Sequence, residues 1–124
     1  DLFDESEHRH PIEEPEFIPV EKICGRLIMA GAEDDVLWDT CKYIRRMEKR
    51  IKERNGKAKC QALLYEHGTH FVFPESMIHK AIPFGVNILL PLIFKEAKGY
   101  TRECKNTRIS VDKHLRAAIH EWQQ

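Results

Sequence analysis

Two short polar runs in this sequence hold the residue types that proton-transfer chemistry needs. The first is Glu33-Asp34-Asp35-Val36-Leu37-Trp38 and the second is Glu66-His67-Gly68-Thr69-His70-Phe71. In a nucleophilic hydrolase an imidazole takes the nucleophile's proton, while a carboxylate fixes the imidazole tautomer and stabilises the imidazolium that forms. A carboxylate from the first run and a histidine from the second would supply both. Residue type and spacing leave Asp34 and Asp35 eligible as the acid and His67 and His70 as the base. They also leave open that the two aspartates form a solvated turn capping the helix that follows. His8 and His10 beside Glu7 carry ligating atoms, but an i, i+2 pair in a proline-containing segment has no partner fixed nearby, so it reads as solvated surface.

The elements around these runs decide whether they can meet. Residues 23–30 form a continuous apolar run, the pattern of a strand buried on both faces of a parallel sheet, and Gly31 then reads as a turn. Asp39 or Thr40 caps a helix in which Cys41, Ile44, Met47 and Ile51 recur at helical spacing, and Asn55-Gly56 stops it. Residues 60–65 are a second apolar strand. Strand, helix and strand predict a right-handed βαβ unit, whose ligands gather at the carboxyl ends of its strands. Both polar runs begin there. Residues 74–98 read as helix or loop. A last helix from about Val111 turns Val111, Leu115, Ala118, Ile119 and Trp122 toward the sheet. Before the first strand, residues 1–19 hold four acids ahead of His8 and prolines at 11, 15 and 19, which predicts an extended lead-in to a domain over 20–124.

Composition excludes several classes. The formal net charge is zero, so no general attraction to nucleic acid or anionic membrane is implied, although residues 1–16 are acidic and 42–59 mostly basic. No aromatic interleaving of that basic run points to nucleic acid. The longest apolar run, 83–94, contains two prolines and an asparagine and falls well short of the ~20 residues of a membrane span. Cys24, Cys41, Cys60 and Cys104 lie far apart without a C-x-x-C pair and read as free thiols, which favours a cytoplasmic setting. The chain opens at Asp1 without a targeting segment, so a beginning inside a longer protein is expected, and with it an uncovered sheet edge that favours a homodimer.

Beyond these readings, Ile18-Pro19-Val20-Glu21-Lys22-Ile23, the run 33–38, and Tyr65 with Gly68, His70 and Pro74 resemble the acyl-CoA thioester hydrolase and bile acid-CoA:amino acid N-acyltransferase (BAAT) C-terminal domain family. The likeness is best over 18–74 and fainter beyond, through Gly99, Ala117, Ala118 and Trp122. It implies the C-terminal part of an α/β-hydrolase fold, with parallel strands, a crossover helix and a C-terminal packing helix. By position in the family's motifs, Asp35 is the triad acid and His70 the triad base, His67 is a loop residue, and neither metal nor organic cofactor is involved. The implied substrate is a small-molecule acyl thioester or ester, attacked by a nucleophile on a G-x-S-x-G-type elbow. Ser6, Ser76 and Ser110 are the chain's serines and none has flanking glycines at that spacing, so the nucleophile is expected outside this sequence. Two other classes fit the residues: a binding module that keeps the hydrolase fold without catalysis, and a metal-dependent hydrolase built on the histidines.

Overall fold

The computed structural model describes residues 2–14, 17–83 and 85–124. Asp1, Pro15, Glu16 and Phe84, which belong to the acidic lead-in and the apolar run, lie outside the described residues. The strands are β1 (Arg26–Ala32) and β2 (Lys59–Tyr65), paired in parallel from Arg26 opposite Lys59 to Ala32 opposite Tyr65. The crossover between them is helix α2 (Thr40–Glu53). Because the register is even, both strands stop at the same level and both polar runs leave the sheet side by side. The Glu33 amide extends the pairing by donating to the Tyr65 carbonyl at 2.8 Å.

Helix α2 forms where its caps and apolar stripe put it. Asp39 is the N-cap and accepts from the Lys42 amide at 3.1 Å, and Cys41, Ile44 and Ile51 are buried against the strands. At the far end Asn55 takes a left-handed φ of 52° and the Gly56 amide donates to the Ile51 carbonyl at 2.8 Å, which closes the last turn. Gly31 is not the expected turn but a residue of β1. A Cβ there would stand 2.9 Å from Ile44 Cδ1 and from Thr40 Oγ1, so the missing side chain lets α2 approach the strand.

The lead-in departs from the extended segment expected of it. Leu2–Arg9 is a helix, α1. Its prolines begin only at Pro11, which leaves the first nine residues free to coil, and an i, i+4 pair of Glu5 with Arg9 lies on the helix. The acids of this segment, and Glu21 just after it, answer the basic face of α2 and its C-cap Arg54: Glu7 pairs with Arg46, Glu14 with Arg54 and with Arg50 at 3.0 Å, and Glu21 with Arg50 at 2.6 Å. Phe17 lies under Arg46 and Arg50, 5.0 and 5.6 Å from ring to guanidinium. The zero net charge thus conceals an acidic strap on a basic helix.

After β2 come α3 (Glu75–Ala81), α4 (Val86–Ile93), a 3₁₀ turn at Lys95–Ala97 and the long helix α5 (Thr101–Trp122). Ile78, Val86, Leu90, Phe94, Ala97 and Cys104 form a core with Phe71 packed on it. Helix α5 begins ten residues before the expected Val111, with Tyr100 as its N-cap following Gly99 at φ 87°. Its early turns bury Cys104, Thr107 and Arg108, and two polar residues on the inner face hide the apolar period. Arg108 is fully buried, donating to Glu75 at 2.6 Å and to Asn87 at 2.7 Å, so one side chain joins α3, α4 and α5. Among the described residues no single helix is long and apolar enough to cross a membrane. The two strands form the whole of the sheet among these residues, which leaves β1 unpaired on its other edge and only partly buried over most of its length.

The Arg50 guanidinium bonded to Glu21 holds that carboxyl down to about 2, against an ordinary 4.5. A depressed acid contributes stability that is present above its unfolded value and is lost as pH falls through its folded value. Melting temperature is therefore expected to drop between pH 4.5 and about 2, and Arg50→Met should flatten that drop when followed by circular dichroism.

Candidate functional site

The site is where the two loops leave the strands. Asp35 closes a turn on itself: its amide donates to the Ala32 carbonyl at 3.3 Å, and its Oδ1 accepts from the amides of Leu37 at 3.0 Å and Trp38 at 3.2 Å. The other oxygen, Oδ2, lies 3.0 Å from His70 Nδ1. The Asp35 side chain is 1% exposed and that of His70 26%. A carboxylate so deep keeps its charge only if its oxygens are bonded, and here two amides and an imidazole N–H do so. The aspartates are therefore no solvated turn; the capping role belongs to Asp39.

With Nδ1–H donating to Asp35, the tautomer leaves the lone pair on Nε2. That nitrogen makes no hydrogen bond among the described residues, and the ring is part-open to solvent. The Trp38 ring meets His70 edge-on at 5.1 Å and 89°, and Phe71 meets it edge-on at 6.5 Å and 87°. The imidazole thus has two aromatic neighbours, and Val36, Leu37 and Phe73, close by in sequence, are exposed apolar residues. Such an arrangement can take a proton at Nε2, hold the resulting imidazolium against a buried anion, and give the proton back.

Asp34 and His67 face the same space differently. Asp34 Oδ1 accepts from the Gly68 amide at 2.9 Å and the Thr69 amide at 2.7 Å, and its Oδ2 lies 3.4 Å from His67 Nδ1. His67 stacks on Tyr100 at 3.9 Å and 13°, and its carbonyl accepts from the Thr107 hydroxyl. Its ring belongs to the interface with α5 and stands apart from the His70 contacts. Thr69 is buried at a left-handed φ of 57°, so the strained turn falls on Thr69 rather than on the glycine before it. Gly68 supplies room instead: a Cβ there would meet Val72 Cγ2 at 3.0 Å and Ala32 Cβ and Thr107 Cγ2 at 3.1 Å.

The remaining candidates lie elsewhere. His8 and His10 are exposed, and Glu7 between the helix and α2 is taken up by Arg46. No group of three or more His, Cys, Asp or Glu that could hold a metal occurs among the described residues. Ser76 bonds Asp112 at 3.0 Å and Ser110 bonds the Tyr65 hydroxyl at 2.9 Å, both away from the His70 contacts. Burial pushes the Cys41 thiol up to about 11 and raises Cys60 and Cys104, which makes these thiols poor nucleophiles. Sequence reasoning placed Trp38 in the first polar run without a role of its own and missed Tyr100 and Thr107 altogether. The signal for Trp38 was its place three residues after an aspartate, within reach of an Asp-turn. Tyr100 and Thr107 had no signal, since their contacts span a distance in sequence that no local pattern covers.

Gly68→Ala is expected to destabilise the chain by about 1–3 kcal/mol, because the added methyl group overpacks against Ala32, Val72 and Thr107. Urea denaturation would measure it, and a neutral result would show that the loop has space to yield.

A family model described as BAAT / Acyl-CoA thioester hydrolase C terminal matches residues 3–87, which reaches further toward both ends than the best-resembling stretch 18–74 and includes both loops. No curated protein and no solved structure matches the chain.

Proposed function

Because the chain belongs to the BAAT / acyl-CoA thioester hydrolase C-terminal family, and with it to the α/β-hydrolase fold, we propose that Asp35 and His70 are the acid and the base of a catalytic triad that cleaves an acyl thioester or ester. The observation that carries the reading is the 3.0 Å contact of His70 Nδ1 with a carboxylate that is itself buried and tied to two amides. Family membership supports an acyl-CoA substrate, and the exposed apolar residues Val36, Leu37, Trp38 and Phe73, in or next to the two loops, suit an acyl chain.

The steps follow from the geometry. His70 Nε2 removes the proton of a hydroxyl or thiol nucleophile as its oxygen or sulfur attacks the carbonyl carbon. Asp35 stabilises the imidazolium without itself becoming protonated. The imidazolium then protonates the leaving thiolate or alkoxide and becomes neutral; in the second half the neutral imidazole takes a proton from the water or amine that attacks the acyl group and returns it to the nucleophile as that departs. No elbow motif stands among these 124 residues, so this reading requires a nucleophile supplied from outside them.

The chain by itself is expected to turn over neither acyl-CoA nor p-nitrophenyl esters. In a longer protein that joins this sequence to a nucleophile elbow, His70→Ala should remove the proton acceptor and cost several orders of magnitude in kcat. Asp35→Asn should keep the shape but favour the wrong tautomer, with a loss of up to about 10⁴-fold. Activity that survives His70→Ala, or strong turnover by the chain alone, would defeat this assignment.

A further inference from the structure

Asp34, beside the proposed triad acid, is bound in a way the triad does not require. Its Oδ1 accepts from two consecutive amides, Gly68 at 2.9 Å and Thr69 at 2.7 Å, which belong to the loop just before His70. The two neighbouring aspartates thus hold the same loop at different points, Asp35 by the ring and Asp34 by the backbone. The backbone needs holding: Thr69 sits at a left-handed φ of 57°, a strained conformation that a residue with a branched Cβ keeps only when its surroundings enforce it. Without Asp34 both buried amides would lose their acceptor and the loop would gain by opening toward water.

The second oxygen of Asp34 has its own constraint. Oδ2 and His67 Nδ1 are both buried and neither has a hydrogen-bond partner, yet they face each other at 3.4 Å. His67 is fixed in turn by the Tyr100 ring stacked at 3.9 Å and by the Thr107 hydroxyl on its carbonyl, so the loop is braced against α5.

We propose that Asp34 is a positioning residue for His70, holding the histidine loop through the Gly68 and Thr69 amides while His67 and Tyr100 brace it against α5. The inference rests on the reading of Asp35–His70 as a working acid–base pair, and it assigns Asp34 no contact with substrate.

Proton NMR of the 124-residue chain tests it through the ring proton on His70 Nδ1, which a carboxylate partner moves far downfield and protects from exchange. That signal should be present in the unaltered chain and in Asp34→Asn, whose amide oxygen still accepts from both amides. It should be lost in Asp34→Ala while far-ultraviolet circular dichroism stays native. Absence of the signal from the unaltered chain would overturn the Asp35–His70 pairing itself. A signal that persists in folded Asp34→Ala would overturn the positioning role alone, as would a folded Asp34→Asn that loses it. If Asp34→Ala does not fold, amide exchange in the unaltered chain decides: protection of Gly68 and Thr69 matching that of β2 is expected, and exchange at the rate of an open loop would overturn the inference.

Discussion

A buried carboxylate is the constraint on which the rest of the site depends. Asp35 is almost wholly removed from water, and an ion so placed is tolerated only when hydrogen bonds replace its hydration. Two of those bonds are local, from the amides of Leu37 and Trp38, and fold the acid loop around the carboxylate. The third comes from a histidine 35 residues away. For that bond to exist the two strands must end level, as the pairing of Ala32 with Tyr65 makes them, and α2 must lie close enough on β1 to span the crossover, which the bare Gly31 permits.

Different forces hold the two sides of the sheet. Toward the N-terminus, acidic residues of the lead-in lie along the basic face of α2 with Phe17 beneath two arginines, a network that salt and acid both weaken. Toward the C-terminus, an apolar core joins α3, α4 and α5, and the buried Arg108 fixes their mutual placement through Glu75 and Asn87. The histidine loop hangs between them. It is pinned to the acid loop by Asp34 and to α5 by Thr107, so the position of His70 depends on both sides being in place.

What the sequence made legible follows a physical rule: patterns written within one element were readable, and those written between elements were not. The two strands, α2 with its Asp39 cap and its stop at Asn55-Gly56 all stand close to where composition put them. The lead-in was misread because prolines at 11, 15 and 19 were averaged over residues that precede them. The start of α5 was hidden because Thr107 and Arg108 occupy inward positions, their polarity answered by His67 and Glu75 far off in sequence. Spacing alone could not separate Asp34 from Asp35 or His67 from His70; the family resemblance only raised an expectation for Asp35 and His70, and the contacts give each of the four a different set of partners.

The central claim is that Asp35 selects the state of the His70 ring, and ring-nitrogen chemical shifts from long-range proton–nitrogen correlation at neutral pH address it most directly. The account predicts neutral His70 as the Nδ1–H tautomer in the unaltered chain, shifting toward the Nε2–H form in Asp35→Asn. A ring already in the Nε2–H form, and indifferent to Asp35→Asn, would contradict it.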